Sequence, residues 1–278
     1  MMKGMINMLD NLELPNETID KVYDDALHPS VSEVGKTIGL LARSINAALA
    51  PLEIWTLKKE YNVKQVKIEL ENSLSSINPD KIVSPEPYVA VPALQAISYS
   101  INREELCHLY ANLLAKSMVL DTKENVHPAF VEIIKQLSPN DARVFETCAL
   151  RNAIPSAYLS IIMLQKGLHL VGSTPLQHTY FELVTDIKLP SISEEQIRVS
   201  LDNLIRVGLI KLNDFELKDG SSYSFAKSSE LYAEVSKEFE KLNAHERTAD
   251  RIHIDKKCLS VTPLGNQFHS VCIKGFND

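Results

Sequence analysis

No glycine falls between Gly39 and Gly167. Phosphate-cradling loops and tight hairpins depend on glycine's backbone freedom, so that stretch excludes a P-loop or dinucleotide fold and favours packed helices. No G-x-S-x-G nucleophile elbow occurs anywhere in the chain. The four cysteines, Cys107, Cys148, Cys258 and Cys272, form no Cys-x-x-Cys pair and stand at zinc-ligand spacing from no histidine. The eight histidines include no H-E-x-x-H or H-x-x-x-H. Reduced thiols, no metal and no cofactor are therefore expected. The start MMKGMINMLDNLELP carries no apolar run of signal-peptide length, which leads us to expect a cytoplasmic protein.

Positive charge is also scarce. The 278 residues hold 29 Lys+Arg against 36 Asp+Glu, a formal net charge of -7, and the parts before and after Ser138 carry -5 and -2. No global field draws this chain toward phosphate backbones, so any nucleic-acid surface has to be local. A hydrophobic share of 45% and a charged share of 23% fit an ordinary folded protein, and the length suggests two domains at roughly 150 residues each.

What is present is helical periodicity. Val34, Ile38, Leu41, Ile45, Leu49, Leu52 and Trp55 form one stripe, interrupted by Pro51. Thr37 to Leu57 approaches bilayer-spanning length, but Arg43, Asn46 and Glu53 interrupt it and a membrane span is not expected. Val63, Val66, Leu70, Leu74 and Ile77 mark a second helix; Pro87 and Pro92 then bracket an extended or turn segment. Leu94 to Met118 reads as a helix pair broken near Asn102. His127-Pro128 starts a short helix with Phe130, Ile133, Ile134 and Leu137 on its apolar face, and the His127 ring is placed to accept a backbone N–H. Ser138-Pro139-Asn140-Asp141 opens the next as a capping box, with Cys148 on its buried side.

The second half has a different grammar. Ser193 caps a helix with Ile197, Leu201, Leu204 and Ile205 on its apolar side, and Gly208 stops it. Strand-like GLIKLNDFEL follows, and later a strand through Cys258 ends in Thr262-Pro263-Leu-Gly-Asn-Gln-Phe268. That is the layout of a winged helix, with Ser228 to Leu242 as a solvated helical insertion in the hairpin. The helix in the recognition position and the wing supply Gln196, Arg198, Asn203, Arg206, Lys256 and Lys257 as candidate contacts to DNA or protein. Glu194, Glu195 and Asp202 offset the arginines, which favours a protein contact over phosphate. Cys107 and His108 are helix neighbours pointing about 100° apart, so they cannot form a nucleophile–base pair; one packs and one is exposed. No catalytic constellation is found.

Pro92 and Leu94, Glu105-Leu106, Leu109-Tyr110-Ala111-Asn112-Leu113-Leu114-Ala115, His127-Pro128-Ala129-Phe130 and Leu137-Ser138-Pro139 with Asp141 form a block that resembles the bacterial abortive infection alpha family. The resemblance implies a role in phage defence and supplies no catalytic residues; Pro92, Leu113, Leu114, His127, Pro128, Phe130, Ser138, Pro139 and Asp141 read as caps and core. The expected fold is mainly α: an N-terminal tail (1–27), a helical bundle (28–137), and a winged-helix-like α+β domain (138–278) with a small β-hairpin and an insertion near 228–242. The expected function is a non-enzymatic interaction protein in abortive infection whose partner is a host or phage protein. The alternatives are a winged-helix DNA-binding regulator and an effector acting on membranes through Thr37 to Leu57.

Overall fold

The computed structural model describes residues 60–99, 104–163, 177–245 and 249–276. The tail 1–27 and the stripe from Val34 to Trp55, with its membrane reading, lie outside them. The described residues form two compact units dividing at Gln136 and Leu137, the first also taking the chain from Ser270 onward.

The first unit is helical: α1 (Glu60–Leu74), α2 (Pro87–Tyr99), α3 (Glu104–Ser117) and α4 (Ala129–Lys135). α3 is its centre, packing against the other three. Its residues from Leu109 to Ser117 are all buried, and Val66, Leu70 and Leu74 of α1 are wholly shielded. Between the helices the chain is pinned by a bridge from Ile82 to Val119, where Val83 N–H donates to Met118 O at 2.8 Å and Leu120 N–H to Lys81 O at 2.9 Å. Pro92 lies inside α2, not at the end of an extended segment. A proline here removes one N–H donor, yet Val89, Ala90, Ala93, Leu94, Ala96 and Ile97 bury enough apolar surface to keep the segment helical.

The second unit begins with α5 (Pro139–Ala149) and is built on a four-stranded antiparallel sheet of order β2-β1-β4-β3: β1 (Ile154–Met163), β2 (Gln177–Thr185), β3 (Ile210–Asn213) and β4 (Ala249–Val261). The fold is therefore mixed α+β and not mainly α with a small hairpin. β1 escapes the sequence reading because Ile154 to Met163 is almost continuously buried, so it lacks the alternation that marks a half-exposed strand. The strand after Gly208 is also shorter than GLIKLNDFEL, since beyond Asn213 the chain leaves β4.

α6 (Glu194–Arg206) follows β2, with Ser193 as its capping-box residue. It ends in a Schellman motif, Gly208 at φ 79° donating to Ile205 O and Leu209 N–H to Leu204 O, both at 3.0 Å. After β3 come α7 (Phe225–Ser228) and α8 (Glu230–His245). α8 is a packed helix, not a solvated insertion. Leu231, Val235, Phe239 and Leu242 recur at helical spacing and join Ala157, Leu159, Ile161 and Val184 in one apolar cluster on the sheet. Glu194 Oε2 accepts the N–H of Glu230 at 2.9 Å, which ties α6 to the start of α8.

After β4 comes α9 (Pro263–Phe268), continued by a π-helical turn at His269–Ile273. Thr262 Oγ1 accepts from Gly265 N at 2.9 Å and donates to Gly208 O at 2.6 Å, locking helix start to helix stop. Phe268 meets Phe145 edge-on at 5.6 Å. Gly265 is required by packing: a Cβ there would lie 2.1 Å from Leu209 O and 2.7 Å from Val261 Cγ1. Gly265→Ala is expected to lower unfolding free energy by about 1–3 kcal/mol in urea melts, as overpacking does. Gly220→Ala, whose Cβ would meet nothing nearer than Lys256 Nζ at 3.9 Å, is expected to stay within about 0.5 kcal/mol of the parent.

Candidate interaction surfaces

In the first unit the motif residues build helix starts and core. Leu113, Leu114 and Phe130 are almost fully buried, and Pro92 is half-buried within α2. Pro128 immediately precedes α4 in helical conformation, while the exposed His127 accepts the Ala129 N–H through Nδ1 at 3.1 Å and sets its ring 5.9 Å from that of Phe130. In the second unit Ser138, Pro139 and Asp141 form the capping box of α5. Ser138 Oγ accepts from Asp141 N at 3.1 Å and Asp141 Oδ2 accepts from Ser138 N at 2.7 Å.

The six candidate contact residues are largely occupied within the second unit. Gln196 Oε1 accepts the Ser193 N–H at 3.0 Å, closing the capping box of α6. Arg198 donates from Nε to Glu182 Oε2 at 2.6 Å, and its side chain is only 15% exposed. Glu182 sits in a β-bulge, where Phe181 and Glu182 of β2 together oppose Leu159 of β1, and bulges of this kind re-aim a side chain. Asn203 donates from Nδ2 to the buried Asp141 Oδ2 at 2.9 Å and accepts from Arg206 Nη2 at 2.6 Å. Lys256 pairs with Glu216 at 3.0 Å, and Lys257 with both Asp214 and Asp255 at 3.0 Å. Hydrogen bonds to Asp255 and Asp214 hold the Lys257 ammonium above its ordinary pKa. Thus Asn203 and Arg206 meet each other, and every cation proposed for phosphate already faces an acceptor.

A polar stripe that sequence reasoning missed runs through α3. His108, Asn112 and Lys116 recur every four residues and so share one helix face. Asn112 is 3% and Lys116 8% exposed. Asn112 Nδ2 donates to Cys272 O at 3.0 Å and Ile273 O at 3.1 Å; Lys116 Nζ donates to Gly275 O at 3.1 Å and lies 4.0 Å over the Phe276 ring. Asn112 Nδ2 is also 3.2 Å from His108 Nε2, and His108 Nδ1 is 3.3 Å from Glu69 Oε2. The available signal was an asparagine and a lysine standing at core positions of an otherwise apolar helix.

The family model described as abortive infection alpha matches residues 58–272, more than three quarters of the chain and spanning both units. The chain belongs to this family. No curated protein matches it. A solved structure of an uncharacterized protein from the hydrocarbon-degrading marine bacterium Alcanivorax borkumensis SK2 is similar at 15% identity, covering 52% of this chain and 92% of that one with a TM-score of 0.33, a likeness too weak to carry argument.

The four cysteines of this abortive infection alpha protein are all buried and form no disulfide. Burial, aided by the carboxylates of Glu69 and Glu104, pushes the Cys107 thiol up to about 11, and burial pushes Cys148 up to about 12. Cys258 and Cys272 are raised by the same cause. Cys107 is packed while the His108 side chain is 56% exposed, so the two neighbours face different surroundings. Among the described residues, no three His, Cys, Asp or Glu side chains converge as a metal site requires, and no helix is long and apolar enough to cross a membrane.

At pH 7.5 a thiol titrating near 11 is ionised in only about one molecule in 3,000. Iodoacetamide is therefore expected to leave all four cysteines of the native chain unmodified on a timescale that alkylates them completely in urea. Rapid native labelling of Cys107, followed by mass spectrometry, would contradict that protonated, shielded state.

Proposed function

We propose that this protein acts in abortive infection by binding a host or phage protein, without catalysing a reaction and without reading DNA. Family membership supports the defence role. The choice of a protein partner rests on one observation: Arg198, Arg206, Lys256 and Lys257 each spend hydrogen-bonding capacity inside the second unit. The acidic partners Glu182, Glu216, Asp214 and Asp255 offset the local positive charge that phosphate contacts require, and the net charge of -7 adds repulsion. The non-enzymatic reading is supported by the ways the candidate groups are used: capping, pairing, or burial as uncharged thiols.

The second unit reads as an elaborated winged helix. Strand order β1-β4-β3, α6 leading directly into β3, and α9 following β4 support this. The strand β2 stands where a winged helix places the first helix of its helix-turn-helix, and α8 fills the wing. On this reading α6 offers a partner Val199, 64% exposed on its outer side.

Two measurements test the proposal. Cells expressing the protein are expected to reduce plaque numbers at least tenfold for a responsive phage, with host growth arrest; unchanged plaque counts across a broad phage panel would contradict the defence role. Duplex DNA titrated at about 50 mM salt is expected to show no saturable binding. Tight binding that weakens steeply with salt and is lost in Arg206→Ala and Lys256→Ala would instead establish a DNA reader.

A further inference from the structure

We propose that the face of α3 carrying Lys116 is a peptide-binding site, filled in the isolated chain by its own residues Lys274–Phe276 and open to an aromatic-bearing segment of a protein partner when they leave. Its use by a partner rests on the protein-binding reading above, while the site itself stands on the geometry of the first unit.

The C-terminal segment is held in two different ways. Val271 and Cys272 are buried and belong to the core. Asn112, also buried, spends its two amide hydrogens on Cys272 O at 3.0 Å and Ile273 O at 3.1 Å, so the chain is anchored as far as Ile273. Past that point it comes to the surface: Lys274 is exposed, and Gly275 and Phe276 are half-buried. Lys116 reaches them from α3, its Nζ donating to Gly275 O at 3.1 Å and standing 4.0 Å over the Phe276 ring.

What Lys116 recognises is not particular to these residues. Every peptide unit offers a carbonyl oxygen and every aromatic residue a ring face, so any segment whose aromatic residue follows directly on the carbonyl that meets Nζ presents the same pair of partners. A buried lysine is also a costly way to fill a position on α3, since an apolar side chain would pack there with no charge to satisfy. The helix takes the apolar choice at Leu109, Leu113 and Leu114, and the departure at Lys116 is the one that meets the surface part of the tail.

Release of the tail leaves the anchor intact. Asn112 and the buried Cys272 hold their places, and what is given up is the bond to Gly275 O and the ring contact, at the end of a chain where local opening is cheapest. A tail tethered this closely acts at an effective concentration on the order of millimolar. A free segment of the same sequence is therefore outcompeted in the intact chain and binds once the tail is gone.

The test uses a chain ending at Ile273 and the peptide Lys-Gly-Phe-Asn-Asp, the sequence of Lys274–Asp278, titrated into it and into the full chain while amide resonances are followed by NMR. The shortened chain is expected to bind the peptide at least about tenfold more tightly than the full chain, and to lose that binding with the Phe276→Ala peptide or in a Lys116→Met background. A folded shortened chain with no saturable shifts, or one that takes the alanine peptide equally well, would overturn the proposal. Should the shortened chain not fold, carboxypeptidase trimming of full-length protein decides: Lys116→Met is expected to lose residues through Phe276 about tenfold faster than the parent, and equal rates would overturn the site. Absence of peptide binding removes this site and leaves the protein-binding reading standing, whereas the plaque and DNA measurements bear on that reading alone.

Discussion

A single buried carboxylate organises the second unit. Asp141 is 4% exposed, and its Oδ2 accepts both the backbone N–H of Ser138 and the side-chain amide of Asn203. One oxygen thereby caps α5 and fastens α6 to it. A buried carboxylate short of donors costs free energy, so the Asn203 amide works together with the buried Ile197, Leu201 and Leu204 to hold α6 in place. The consequence reaches function: the asparagine that the recognition position offered to a base edge is committed inside the fold, and its oxygen in turn holds Arg206. Arg198 is drawn the other way, to the bulge residue Glu182.

The first unit obeys the same constraint with different residues. α3 is buried along most of its length, yet carries Asn112 and Lys116 on the face where leucines would be expected. Both donate to main-chain carbonyls of the segment beyond Ser270. The polar stripe therefore accounts for the asparagine in the LYANLLA stretch of this chain, and it joins residues 160 positions apart in sequence.

Legibility in the sequence follows the range of each interaction. The caps were readable because their parts lie within three residues: Ser138 with Asp141, Ser193 with Gln196, Thr262 with Gly265. The stop at Gly208 was readable for the same reason, while the break expected near Asn102 lies outside the described residues. The sheet was not. β1 meets β4 across about a hundred residues, Ile154 opposite Leu259, and its unbroken burial hides the period of two. Pro92 misled because a local rule against helix was overridden by packing, and α8 misled because its charges are conspicuous while its apolar face is spaced only as a helix needs. Of the candidate contacts, residue type was legible and partner was not: Arg198, Asn203 and Lys257 have the right chemistry for DNA, but Glu182, Asp141 and Asp214 answer it at distances of 16, 62 and 43 residues along the chain.

The account stands on the polar groups of α6 being structural, and a double-mutant cycle measures that directly. Urea unfolding of the parent, Asp141→Ala, Asn203→Ala and the pair is predicted to give a coupling energy of about 1 kcal/mol or more, because the bond between them is shielded and charge-assisted. Strict additivity, within about 0.3 kcal/mol, would mean that Asn203 is not held by Asp141 and is available to a ligand.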